Sequence, residues 1–147
     1  MTKRLAARYA VTVMTVTLVA RTQQQLTSEQ IASIRLAVAQ WMRSARAVAQ
    51  ARDALRALHV PPDEIFRRRR AESADARLTT LLRLAVTLVI TRGALEDSDR
   101  RRYAPLLDDD VVQSVVQHVA DAWRHVLHVE RTGTEPAPSV DLDVGDY

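Results

Sequence analysis

The chain has 147 residues and a mass of 16.5 kDa, which suits one domain and is enough to bury a hydrophobic core. It has no cysteine, three glycines and five prolines, which excludes a disulfide framework, a thiolate metal site and a turn-rich all-β fold. Its 21 basic residues are 20 arginines and Lys3, and 18 acids reduce the net charge to +3.

The charges are distributed unevenly along the chain. Residues 1–56 carry nine basic and two acidic residues, a net charge of +7, and residues 57–102 carry ten and seven, a net charge of +3. Residues 103–147 carry two basic and nine acidic residues, a net charge of −7. The small net charge is therefore the sum of a basic N-terminal part and an acidic C-terminal part. A bias toward arginine codons would not explain this asymmetry.

Residues 9–20 form an uncharged run that follows the basic residues Lys3, Arg4 and Arg8. The run is too short to span a bilayer, which takes about 20 apolar residues, and we expect it to form a buried helix. Two alternatives stay open. The order of charged and apolar residues also fits a secretory signal peptide, and the β-branched residues of the run would suit a strand.

Thr27 and Gln30 have the spacing of a capping box, which marks the start of the second predicted helix. Side chains beyond it alternate at steps of three and four, the heptad pattern of a packing seam. The pattern predicts one helix to residue 58, roughly 45 Å long at 1.5 Å per residue. The seam positions are Ile31, Ile34, Val38, Trp41, Ala45, Val48, Arg52, Leu55 and His59, and the basic flank beside them consists of Arg35, Arg43, Arg46 and Arg56.

Pro61 and Pro62 end this long helix and open a short one, because proline is tolerated in a first helical turn. Four consecutive arginines follow. Residues 73–92 carry an apolar stripe that only one charge interrupts, and this pattern predicts the central helix of the fold. Gly93 is the expected residue just beyond its end.

A further short helix is predicted over residues 97–103, and a last one over residues 111–130 after three aspartates that suit a helix N-terminus. Glycine, proline and four acids then predict a flexible acidic tail over residues 132–147. The fold class that follows is an all-α, five- to six-helix bundle forming one domain over residues 1–131.

One face of the last helix carries His118, Asp121, His125 and His128 at steps of three, four and three. Histidine and aspartate are ligands for zinc and iron. A single helix cannot surround an ion, however, and the alternative is the polar face of an amphipathic helix. We therefore predict no metal site and no cofactor.

Arg52 and His59, separated by six residues late in the long helix, resemble the ribonuclease motif of the HEPN superfamily of small helical domains. The resemblance implies an RNA-cleaving site in which His59 is the acid–base group and Arg52 holds the phosphate. The alternative is a seam arginine and a histidine that favours the negative end of the helix dipole. No other catalytic pattern is present, so we expect a non-enzyme, with this pair as the enzymatic alternative.

Arginine clusters adjoin several predicted helix ends, and arginine binds phosphate oxygens in a bidentate manner. Several arginines on one face would bind a nucleic-acid backbone without reading its sequence. The alternative is a solvated face paired with nearby acids. The candidate contacts are Arg35, Arg43, Arg46, Arg67, Arg68, Arg69, Arg70, Arg100, Arg101 and Arg102.

In size, helicity and basic charge, residues 1–131 resemble the small helical subunit of CRISPR effector complexes, which lines the guide–target groove. The resemblance implies a non-catalytic, cytoplasmic subunit of a nucleoprotein assembly. Its partners would be an RNA or DNA backbone and other protein subunits, among them copies of itself, and no membrane is involved. A helical interaction or dimerisation module that uses the predicted seam is a further alternative.

Overall fold

The structure, a computed structural model, describes residues 26–132. The predicted N-terminal helix of residues 9–20 and residues 133–147 of the predicted acidic tail lie outside the described residues. The described part confirms the all-α prediction, with six helices and no strand between residues 26 and 132. The helices are α1 (Ser28–Trp41), α2 (Ala45–Ala57), α3 (Pro62–Arg69), α4 (Ala76–Thr91), α5 (Asp97–Tyr103) and α6 (Asp109–Thr132).

The helix starts follow the predicted signals. The Thr27 side chain accepts a hydrogen bond from the Gln30 N–H at 3.0 Å, and the Gln30 side chain accepts one from the Thr27 N–H at 2.9 Å, which completes the capping box. Helix α3 begins with Pro62 in its first turn. The Asp108 side chain accepts from the Val111 N–H at 2.9 Å at the start of α6.

The predicted long helix of residues 28–58 is wrong, because the chain breaks between α1 and α2. Arg43 has a φ of 55°, in the left-handed region. The Ser44 N–H donates to the Ala39 carbonyl at 3.0 Å and the Arg43 N–H donates to the Gln40 carbonyl at 3.1 Å, which together form a Schellman motif. The Ser44 side chain then caps α2 by accepting from the Ala47 N–H at 3.2 Å.

Helix α1 is the central helix, which corrects the prediction for residues 73–92. It packs against α2, α3, α4 and α6. Two hydrophobic clusters lie on different faces of α1: Ile34 and Val38 belong to the cluster with α4 and α6, and Leu36 belongs to the cluster with α2. All three side chains are fully buried. A single heptad seam predicted only one of these faces, because it assumed one packing partner.

Candidate nucleic-acid interface

The four consecutive arginines of α3 have different surroundings. Arg68 is only 6% exposed, and its Nη1 donates to the Ser33 hydroxyl at 3.1 Å and lies 3.2 Å from a Glu29 carboxylate oxygen. Its Nε lies 3.7 Å from a Glu64 carboxylate oxygen. Arg68 therefore connects α3 to α1, because its guanidinium group interacts with side chains of the protein itself.

Arg69 and Arg70 lie closer to the surface at the end of α3. The Nε and Nη2 atoms of Arg69 both donate to Gln40 Oε1 of α1, at 3.2 and 3.0 Å. Arg70 is the C-cap residue of α3 and is exposed. Arg69 and Arg70 thus lie on the side of the molecule where α1 ends.

Two adjoining cavities on that side, of about 420 and 370 Å³, share Arg70, Ala71 and Val86 as lining residues. We call the combined depression the arginine groove, because five arginines line it and they come from the ends of α1 and α3, from α4 and from α5. The lining residues used below are Trp41, Arg43, Arg69, Arg70, Glu72, Arg83, Arg102 and Tyr103.

The arginine groove is rich in cationic side chains. Among its lining residues between positions 26 and 132, five are arginines and one is an acid, Glu72, which lies 4.0 Å from Arg83. Both side chains of that pair are exposed, by 63% and 46%, so the ion pair is weak in water. A depression of this kind attracts anions, and guanidinium groups spread over four structural elements suit a chain of phosphates better than a single small anion.

Two groove residues were not predicted as contacts from the sequence. Arg83 is the one charge within the apolar run of α4. Its isolated position in that run is the sequence feature that could have indicated a role at the surface. Trp41 was assigned to the packing seam, yet its side chain is 53% exposed. It is the last residue of α1, and the break that follows at Arg43 removes the helical neighbour that the seam assumed.

Four of the ten predicted contacts, Arg43, Arg69, Arg70 and Arg102, line the arginine groove. The others lie elsewhere: Arg68 is buried, and Arg35 lines a different groove. The remaining four are not among the groove lining residues; Arg46 and Arg100 are half-buried, and Arg67 and Arg101 are exposed.

The second groove, of about 610 Å³, lies between α1, α2 and α6. We call it the alanine groove, because its α2 wall is formed largely by Ala47, Ala51, Ala54 and Ala57. His125 lines it, and its Nε2 lies 2.8 Å from Gln50 Oε1 across the groove. This hydrogen bond links α6 to α2.

The predicted histidine face of α6 has two perturbed members. Burial lowers the pKa of His118, an effect that Asp121 opposes and Arg35 reinforces. Burial also lowers the pKa of His125, with smaller contributions from Arg35 and His128. The Asp121 carboxylate accepts a hydrogen bond from Arg124 Nη2 rather than from a histidine. Among residues 26–132, no group of three His, Asp or Glu side chains comes together in a way that could hold a metal ion.

The ribonuclease pair remains a prediction. Arg52 lies on α2 with its Nε 3.8 Å from Asp53. His59 lies two residues beyond the last residue of α2, is exposed, and has a φ of 65° in the turn that ends the helix. The His59 N–H donates to the Arg56 carbonyl at 2.9 Å, so its backbone completes the helix end.

Comparison of the chain with protein-family models, with curated proteins and with solved structures gives no match. None of the six helices between residues 26 and 132 combines the length and the apolar character needed to cross a membrane. The arginine groove therefore has to be interpreted from its own geometry and charge.

Proposed function

We propose that this protein is a non-catalytic, basic helical subunit of a nucleoprotein assembly and binds a nucleic-acid backbone along the arginine groove. The observation that supports the proposal is the convergence of five arginines from four structural elements on one continuous depression. Phosphate contacts of this kind supply affinity without sequence specificity. The resemblance in size, helicity and charge to the small subunit of CRISPR effector complexes is part of the hypothesis.

The test measures the affinity of the full chain for single-stranded and duplex oligonucleotides against salt concentration. Contacts from four or five arginines predict a slope of log affinity against log salt of about −3 to −4. The double variant Arg83→Gln/Arg102→Gln should lose about tenfold in affinity at low salt and flatten the slope by about 1 per arginine removed. When the oligonucleotides are RNA, gel analysis of the binding samples reports whether the protein cleaves them.

The matched control is Arg56→Gln/Arg124→Gln, which removes the same charge from two exposed arginines outside the arginine groove. Each is paired with an acid on its own helix, Asp53 and Asp121, and such surface pairs contribute little to stability. Equal losses of affinity in the two double variants would show that net charge alone is responsible and would contradict the proposed site.

A further inference from the structure

The end of α6 lies beside the arginine groove. The Ser44 hydroxyl donates a hydrogen bond to the Glu130 carboxylate in the last turn of α6. Ser44 directly follows Arg43, which lines the groove. Val129 of the same turn is buried, so this turn of α6 is packed against the rest of the protein.

The residues that follow are chemically complementary to the groove. Residues 133–147 contain four acids, Glu135, Asp141, Asp143 and Asp146, and no basic residue. The sequence alternates apolar and acidic side chains between Val140 and Val144. The groove offers both kinds of partner, since it combines five arginines with the exposed indole of Trp41.

The tail is long enough to reach the arginine groove. A fully extended chain advances about 3.4 Å per residue, so the fifteen residues after Thr132 can reach about 50 Å. Because the tail is covalently attached beside the groove, its local concentration is on the order of millimolar, and even a weak attraction would keep it bound. At that concentration it also competes effectively with another polyanion.

We propose that residues 133–147 bind in the arginine groove of their own chain and compete there with nucleic acid. The competition rests on the proposed function, whereas the contact between the tail and the groove rests on charge complementarity and on the position of the α6 end. The acidic tail acts as an internal substitute for phosphate, and strand binding requires its displacement.

The first experiment detects the contact without nucleic acid. The chain has no cysteine, so Val144→Cys introduces a single thiol that can be labelled with bimane, whose fluorescence tryptophan quenches on contact. We expect quenching that Trp41→Phe abolishes and high salt reverses. Quenching that is absent, or that Trp41→Phe leaves unchanged, would overturn the proposal, as would quenching that grows with protein concentration, since that indicates a second copy.

The second experiment measures the competition in the full chain. A neutral-tail variant carries Glu135→Gln, Asp141→Asn, Asp143→Asn and Asp146→Asn, and we expect it to bind oligonucleotides about tenfold more tightly at low salt, with the difference shrinking as salt screens the tail. The control neutralises four exposed acids of the helices by replacing Asp53, Asp63, Asp109 and Asp110 with Asn.

The outcomes separate the two proposals. A gain in affinity confined to the neutral-tail variant supports competition, and an equal gain in the control variant overturns it. If Trp41-dependent quenching occurs but the neutral-tail variant binds no oligonucleotide at low salt, the tail contact stands and the proposed nucleic-acid function fails.

Discussion

The arginine groove and the alanine groove lie on opposite faces of α1 and differ in what lines them. Ile31, Ala32 and Arg35 face the alanine groove, and Ala37 and Trp41 face the arginine groove. At 100° per residue these two sets are about half a turn apart. The alanine groove is lined by one arginine, Arg35, while the two cavities of the arginine groove are lined by five.

The difference comes from where the helices end. Arg43, Arg70 and Arg102 lie at or near the C-terminal ends of α1, α3 and α5, and these ends meet on one side of the molecule. The α2 wall of the alanine groove instead runs along the helix from Ala47 to Leu58, and most of its lining residues are alanine. The positions of arginines in the fold, rather than their number, distinguish the two surfaces.

The largest expected effect separates the buried Arg68 from an exposed arginine of the same run. Arg68→Ala removes the partner of Ser33 and Glu29 from a buried site and should lower the free energy of unfolding by about 2 to 3 kcal/mol. Urea unfolding followed by circular dichroism measures it. Arg67→Ala, at the exposed neighbouring position, should change stability by less than about 0.5 kcal/mol. Similar losses in the two variants would contradict the distinction.

A smaller effect is expected at the end of α2, the helix that walls the alanine groove. His59 is held at a φ of 65°, a conformation that costs about 1 kcal/mol for a residue with a Cβ atom and little for glycine. His59→Gly should therefore raise the free energy of unfolding by about 1 kcal/mol, seen as a higher urea midpoint. The control is His59→Ala, which keeps the Cβ atom and should give no such gain. A gain in both variants would refute backbone strain as the cause.

The smallest effect is a pH dependence that belongs to the alanine-groove side. Because burial lowers the pKa of His118 and of His125 below the ordinary value of 6.5, the unfolded chain binds protons more readily than the folded one. The free energy of unfolding should therefore fall as pH decreases from about 7.5 to about 5.5. The variant His118→Gln/His125→Gln should show a shallower decrease in chemical denaturation. If the free energy of unfolding depended on pH just as steeply in this variant, the two histidines would not be the source of the pH dependence.

Local signals in the sequence predicted most of the helix boundaries. The capping box of Thr27, the proline start of α3 and the aspartate cap of α6 depend on side chains within a few residues of each other, and all three are present. The break after α1 was missed, because its left-handed residue is Arg43 where glycine is usual. The local signal of the break is the next residue, Ser44, which caps α2.

The candidate site was only partly predictable for a different reason. Composition identified arginine as the residue of interest, and Arg69, Arg70 and Arg102 were among the predicted contacts that line the groove. Arg68, in the same run, is buried in the protein, and Arg83, which is not among the predicted contacts, lines the groove. Which arginines face a common depression depends on the packing of helices that are distant along the chain.

By itself the sequence determined the helical class, most helix starts and the polarity of charge along the chain, because these depend on neighbouring residues and on composition. The tertiary structure decided that α1 is buried on two faces, that Trp41 is exposed and that the α6 end lies beside Arg43. These features arise from contacts between helices, and their physical reason is that burial and charge become defined only once the helices pack together.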